Sequence, residues 1–75
     1  MKKEEQLKHI YDDFLEFLIR KLVQYEDSQL IASTMIAQAL RLYKSTLTDK
    51  EYRDMLNTVI KTSKTIKPFV IKTLH

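Results

Sequence analysis

A histidine and two carboxylates near the N-terminus have the residue types and the spacing of a helical metal site. His9, Asp13 and Glu16 occupy positions i, i+4 and i+7, which places their side chains within about 60° of one another on a helix. Imidazole and carboxylate groups are common protein ligands of Zn²⁺ and Mn²⁺. The alternative is a solvated polar face on which both carboxylates pair with Arg20 at helical spacing. The sequence favours the polar face, because the chain has no cysteine and its other histidine is residue 75.

Catalytic arrangements are not found elsewhere in the sequence. Asp12 and Asp13 are adjacent, so a helix would point their carboxylates about 100° apart instead of towards one substrate. The chain has no glycine, which argues against phosphate-binding loops and tight hairpin turns, because both use positive φ angles. No serine has a nucleophile-elbow sequence around it. We therefore expect a protein that is not an enzyme and that holds no cofactor and no metal.

Four lysines near the C-terminus are candidates for contacts with phosphate groups. From Met55 onward the chain carries Lys61, Lys64, Lys67 and Lys72 and no carboxylate side chain. These lysines could bind the backbone of a nucleic acid. The simpler interpretation is that lysines complement the negative end of a helix and keep a small surface soluble. Base-specific reading by the helical segment of residues 49–64 is disfavoured, because its first turns are acidic and DNA would repel them.

The first helical segment, residues 4–25, carries more apolar surface than one core face requires. Its apolar side chains cover an arc of about 240°, whereas a helix resting on one core needs little more than 100°. Such a helix is either central or shared between chains. We predict a homo-oligomer, most simply a two-fold dimer. Its interface is predicted to contain the aromatic and leucine residues Tyr11, Phe14, Phe17, Leu18, Leu22 and Tyr25.

Two further helices follow in the sequence. Asp27 or Ser28 is the predicted N-cap of a central helix over residues 29–46. Thr48 and Glu51 fit a capping box at the start of a third helix over residues 49–64. Pro68 disfavours helical backbone at the preceding residue, so the third helix is expected to end before it.

The residues after Pro68 form a short apolar tail. Its sequence is compatible either with a last short helix or with an extended segment, because periodicity cannot distinguish the two over seven residues. Phe69, Val70 and Leu74 are candidate contacts with a partner. The predicted fold class is all-α: residues 1–75 form one domain, a small three-helix bundle completed by homo-oligomerisation.

Composition and charge limit the cellular location and the class of function that we expect for this chain. Its 75 residues have a net charge of +3, and charges interrupt every apolar stretch before it reaches the length of a membrane span. The polar face of the first helix is acidic, which anionic lipid would repel. We expect a cytoplasmic protein that does not bind membranes. The leading hypothesis is an oligomeric regulator, adaptor or inhibitor that binds another macromolecule, of the kind common in phages and mobile elements; nucleic-acid binding through the lysines is the alternative.

Overall fold

The computed structural model describes residues 1–69 and contains three α-helices and no strand in that range. Helix α1 spans Lys3–Tyr25, α2 spans Ser28–Thr46 and α3 spans Asp49–Ser63. Over residues 1–69 the predicted three helices are confirmed, and each predicted boundary lies within one residue of the observed one. The chain divides into two units, Met1–Thr34 and a second unit that begins at Met35, so α2 contributes to both.

The first unit contains α1 and the beginning of α2. At the end of α1, Glu26 adopts a left-handed conformation with φ 56° and ψ 14°, and its backbone N–H donates to the Leu22 carbonyl at 3.1 Å. This is the role that glycine usually has after a helix. Asp27 then begins α2, because its carboxylate accepts a hydrogen bond of 3.0 Å from the backbone N–H of Leu30. Of the two predicted caps, Asp27 is therefore the one that caps the helix.

The second unit contains the rest of α2 and all of α3. The predicted capping box of α3 is confirmed: the Glu51 backbone N–H donates to the Thr48 hydroxyl at 3.2 Å, and the Thr48 backbone N–H donates to the Glu51 carboxylate at 2.9 Å. The Lys44 amine lies 5.0 Å from the centre of the Tyr52 ring, which joins α2 to α3 by a cation–π contact.

The C-terminal end of α3 also agrees with the sequence. The helix ends at Ser63, one residue earlier than predicted, and a tighter turn follows in which the Thr65 backbone N–H donates to the Thr62 carbonyl. Pro68 thus lies outside the helix. Phe69 is exposed and not helical. Val70, Lys72 and Leu74 lie outside the described residues, and so does the choice between a helical and an extended tail.

Residues 1–69 contain no fully buried side chain, apolar or polar. The most covered positions are half-buried: Leu15, Leu18, Lys21 and Leu22 in α1, Ile31 and Leu40 in α2, Leu47 in the connection, and Tyr52, Met55 and Leu56 in α3. The hydroxyls of α2 and α3 make local hydrogen bonds to backbone carbonyls of their own helices, such as Thr34 to Leu30 at 2.8 Å. Within this part of the chain, the helices are held mainly by their own hydrogen bonds and caps.

Candidate protein-interaction surface

The predicted interface on α1 divides into an exposed and a partly covered group. Leu18 and Leu22 are half-buried in the isolated chain. The four aromatic residues of the prediction are exposed: Tyr11, Phe14, Phe17 and Tyr25. These side chains keep about half or more of their area in water, which is unfavourable unless another surface covers it. The aromatic residues are therefore the part of the predicted interface that is available to a partner.

A shallow open groove runs along the aromatic side of α1. Its lining residues are Ile10, Asp13, Phe14, Phe17 and Arg20, which we call the α1 groove. Ile10 is 52% exposed, Phe14 63% and Phe17 47%, so the apolar floor is largely uncovered. These positions recur at three- and four-residue steps on one helix, and this spacing aligns them along one side. All of the groove therefore belongs to a single rigid element.

The side chain of Lys21 lies beside two aromatic rings of α1. Its amine lies 5.2 Å from the centre of the Phe17 ring and 5.7 Å from that of Tyr25. Ammonium groups are attracted to the face of an aromatic ring at these distances. The lysine stem is half-buried while its charge stays near the rings. Lys21 thus places a positive charge directly beside the aromatic surface.

Asp13 and Arg20 supply the charged rim of the α1 groove. The expected pairing of Asp13 and Glu16 with Arg20 is wrong: within residues 1–69 the one ion pair joins Lys50 Nζ to Asp54 Oδ2 at 3.0 Å in α3. Asp13 and Arg20 are seven residues apart, about 10 Å along the helix axis, which is too far for a direct contact. Both charges therefore face the groove without an intrachain ionic partner in the described part of the chain.

The metal hypothesis for α1 gains no geometric support. The side chains of residues 1–69 include no group of three or more His, Asp or Glu residues that could hold a metal ion. His9, Asp13 and Glu16 share a helix face without converging on one point. Asp13 lines the α1 groove instead.

Three of the C-terminal lysines lie in the described part of the chain, Lys61, Lys64 and Lys67, and they are exposed. Lys61 lies in the last turn of α3, where its charge complements the negative end of the helix dipole. Lys64 and Lys67 follow it, and no carboxylate of residues 1–69 lies within 4 Å of any of these three amines. The neighbouring hydroxyls donate to helix carbonyls, such as Thr62 to Thr58 at 3.0 Å, so their single O–H donors are already used. Phosphate contacts from this segment would come from the lysines.

The Glu51 carboxyl has a structural role. The backbone N–H of Thr48, followed by its hydroxyl, lowers the pKa of this carboxyl below its ordinary value of 4.5. The carboxylate is fully exposed and its hydrogen bonds close the first turn of α3. The lowered pKa thus reflects helix capping.

Sequence reasoning missed the α1 groove as a unit. From the sequence, Ile10 belongs to the broad apolar arc, Asp13 to the candidate metal site and Arg20 to the polar face, whereas in the structure the three line one groove with Phe14 and Phe17. The signal that could have found it is the alternation of three- and four-residue steps through Leu7, Ile10, Phe14, Phe17 and Lys21. That spacing selects a narrower seam than the 240° arc.

Comparison with protein-family models, curated proteins and solved structures finds no match to this chain. A further structural finding is that no helix within residues 1–69 has the length and apolarity needed to cross a membrane.

Proposed function

We propose that this chain is a small non-enzymatic interaction protein that associates with itself through α1 and acts on another macromolecule by binding it. The observation that carries this proposal is the absence of any buried residue in the described part of the chain, combined with exposed aromatic rings along one side of α1. Large apolar patches on small proteins mark surfaces that bind a partner. The role is that of a regulator, adaptor or inhibitor.

Self-association supplies what the single chain lacks. Ordering a residue costs roughly 1.5 kcal/mol, and chains of this size need extra stabilisation from disulfides, metals, very regular packing or oligomers. This chain has no cysteine, and residues 1–69 have no cluster suited to a metal. A second copy would cover the aromatic side of α1 and complete a small helical bundle around it.

The oligomeric state of the full chain tests this proposal directly. Sedimentation equilibrium over the micromolar range is expected to show a dimer in exchange with a less folded monomer, so that helix content measured by circular dichroism rises with protein concentration. A stably folded 9.0 kDa monomer at all concentrations would contradict self-association. Binding to another macromolecule is tested by capture of a partner with the wild-type chain and by loss of that capture when Phe69, the exposed candidate partner contact, is changed to Glu.

A second function, nucleic-acid binding, rests on the exposed lysines. Lys61, Lys64 and Lys67 carry positive charge in a segment whose described residues have no carboxylate side chain from Met55 onward. Binding through phosphates predicts an affinity that falls by about 0.9 log units per log unit of salt for each phosphate contacted. Filter binding of duplex DNA at two salt concentrations tests it, with Lys50→Gln as a control for a lysine already paired to Asp54. No retention at low salt would eliminate this function.

A further inference from the structure

The two charged residues that line the α1 groove have opposite signs and a fixed order along the helix. Asp13 and Arg20 both line the groove, seven residues apart, with the acidic group nearer the N-terminus. A surface that matches this rim must offer a basic group opposite Asp13 and an acidic group opposite Arg20. A second copy of α1 in antiparallel orientation offers both groups at that spacing. The groove is therefore complementary to itself under a two-fold rotation, which is the symmetry of most homodimers.

We infer that the α1 groove binds the α1 groove of a second copy in antiparallel orientation, with Asp13 of each copy paired to Arg20 of the partner subunit. This inference rests on the proposed self-association and specifies its geometry. Each ion pair occurs twice, once on each side of the two-fold axis. Neither charge gives up an ionic partner within residues 1–69 to form it.

The spacing of the residues along this side of α1 supports the same register. Leu7, Ile10, Phe14, Phe17 and Lys21 alternate by three and four residues, the spacing with which two helices interlock along a seam. Antiparallel pairing centred on the aromatic rings places Phe14 opposite Phe17 of the partner subunit. In that register Asp13 of one copy and Arg20 of the partner subunit are offset by two residues, or about 3 Å along the helix axis. Their side chains can span this offset.

The position of Lys21 makes parallel pairing less favourable than antiparallel pairing. Two parallel copies in register would place the two Lys21 side chains opposite each other in the seam, and like charges there are unfavourable. Antiparallel pairing places Lys21 opposite Ile10 of the partner subunit and separates the two lysines by about 16 Å along the axis. Parallel pairing would also leave Asp13 and Arg20 on opposite sides of the interface, where they could not meet.

Charge reversal in the full chain tests this geometry. The variants Asp13→Arg and Arg20→Asp each place like charges together twice in an antiparallel dimer. Each variant alone is expected to dimerise about ten-fold or more weakly than the wild type in sedimentation equilibrium at low salt. An equimolar mixture of the two restores both attractive pairs between unlike chains, so it is expected to form a heterodimer at least as tight as the wild-type dimer. Glu16→Arg, a reversal outside the α1 groove, is the matched control.

The outcomes separate this inference from the proposed function. If the wild type dimerises and both reversals dimerise equally well, or if the mixture shows no preference for unlike chains, the antiparallel groove pairing is wrong while self-association stands. If the wild type is monomeric throughout, both are wrong. If Glu16→Arg weakens the dimer as much as Asp13→Arg, the effect is one of net charge, and the specific ion pair is rejected.

Discussion

Replacing Phe14 with alanine is the change expected to affect self-association most strongly. A phenylalanine side chain offers about 150 to 250 Å² for burial, and Phe14 is 63% exposed in the single chain. The alanine variant therefore loses roughly 100 Å² of coverable apolar area per copy, and the two-fold axis doubles the loss. At about 25 cal/mol per Å², full coverage is worth about 5 kcal/mol per dimer, and half coverage somewhat over 2 kcal/mol. The expected increase in Kd lies between roughly 70-fold and several thousand-fold.

Val23→Ala is the matched control for this change. Val23 lies nine residues after Phe14, which places it on the opposite side of α1. It is 76% exposed, so it is an uncovered apolar side chain like Phe14 but outside the α1 groove. Alanine is the best helix former, so neither substitution weakens the helix itself. We expect the Kd of the Val23→Ala dimer to stay within about three-fold of wild type, less than 1 kcal/mol.

The assay is sedimentation equilibrium of the wild type and both variants across the micromolar range at one salt concentration, with helix content followed by circular dichroism. A dimer that is weakened by Phe14→Ala and not by Val23→Ala supports an interface on the aromatic side of α1. Equal Kd values for the two variants would refute the reasoning. A larger loss of dimer affinity for Val23→Ala than for Phe14→Ala would also refute it, because that result would indicate an interface on the other side of the helix.

Three further predictions concern the helix ends, and urea unfolding at fixed protein concentration checks each of them. Glu26→Gly is expected to raise the free energy of unfolding by about 0.5 to 1 kcal/mol, because a φ of 56° disfavours a residue with a Cβ; no gain would contradict the left-handed cap. Thr48→Ala is expected to lower that free energy by about 1 kcal/mol through loss of the cap, whereas the mid-helix control Thr58→Ala is expected to lose nothing. The stability advantage of the wild type over Glu51→Gln is expected to be complete above pH 4.5 and to disappear as pH falls through the lowered pKa of the folded carboxyl. An advantage that is equal at pH 7 and at strongly acidic pH would contradict a charge-dependent cap.

The helices could be predicted where their signals are local. The start of α3 depends on a threonine and a glutamate three residues apart, and both hydrogen bonds of the box form between those two residues. The end of α3 follows from a proline a few residues later. Such features need no tertiary contact, so the sequence contains all the information that they require.

The end of α1 could not be predicted in detail for a physical reason. The chain has no glycine to mark a position of positive φ angle, yet Glu26 adopts one. Glu26 and Asp27 alone connect α1 to α2, and the hydrogen bond from the Glu26 N–H to the Leu22 carbonyl stabilises the left-handed conformation that ends α1. The cost of a left-handed glutamate is about 1 to 2 kcal/mol, small enough for that geometry to prevail over local preference.

The predicted interface was broader than the surface that the structure leaves uncovered. Periodicity identified the aromatic residues of α1 correctly as apolar, but it could not tell which of them the chain itself covers. Leu18 and Leu22 are half-buried, whereas Ile10, which the interface prediction did not include, lines the α1 groove. Coverage depends on where the other residues of the fold lie, and a helical wheel contains no such information.

If the chain self-associates as proposed, its local order and the absence of buried side chains in residues 1–69 predict that folding and association are coupled. The helices of residues 1–69 are closed by caps and short-range hydrogen bonds, but isolated helices of such lengths are only marginally stable without a packed apolar face. The half-buried side of α1 provides part of that face, and the α1 groove, lined by Phe14 and Phe17, provides the rest only when a partner covers it. Covering the groove therefore contributes to affinity and to helix stability at once. A substitution in the groove is expected to lower both, whereas a substitution in the Thr48 cap is expected to lower helix stability without changing which surface is recognised.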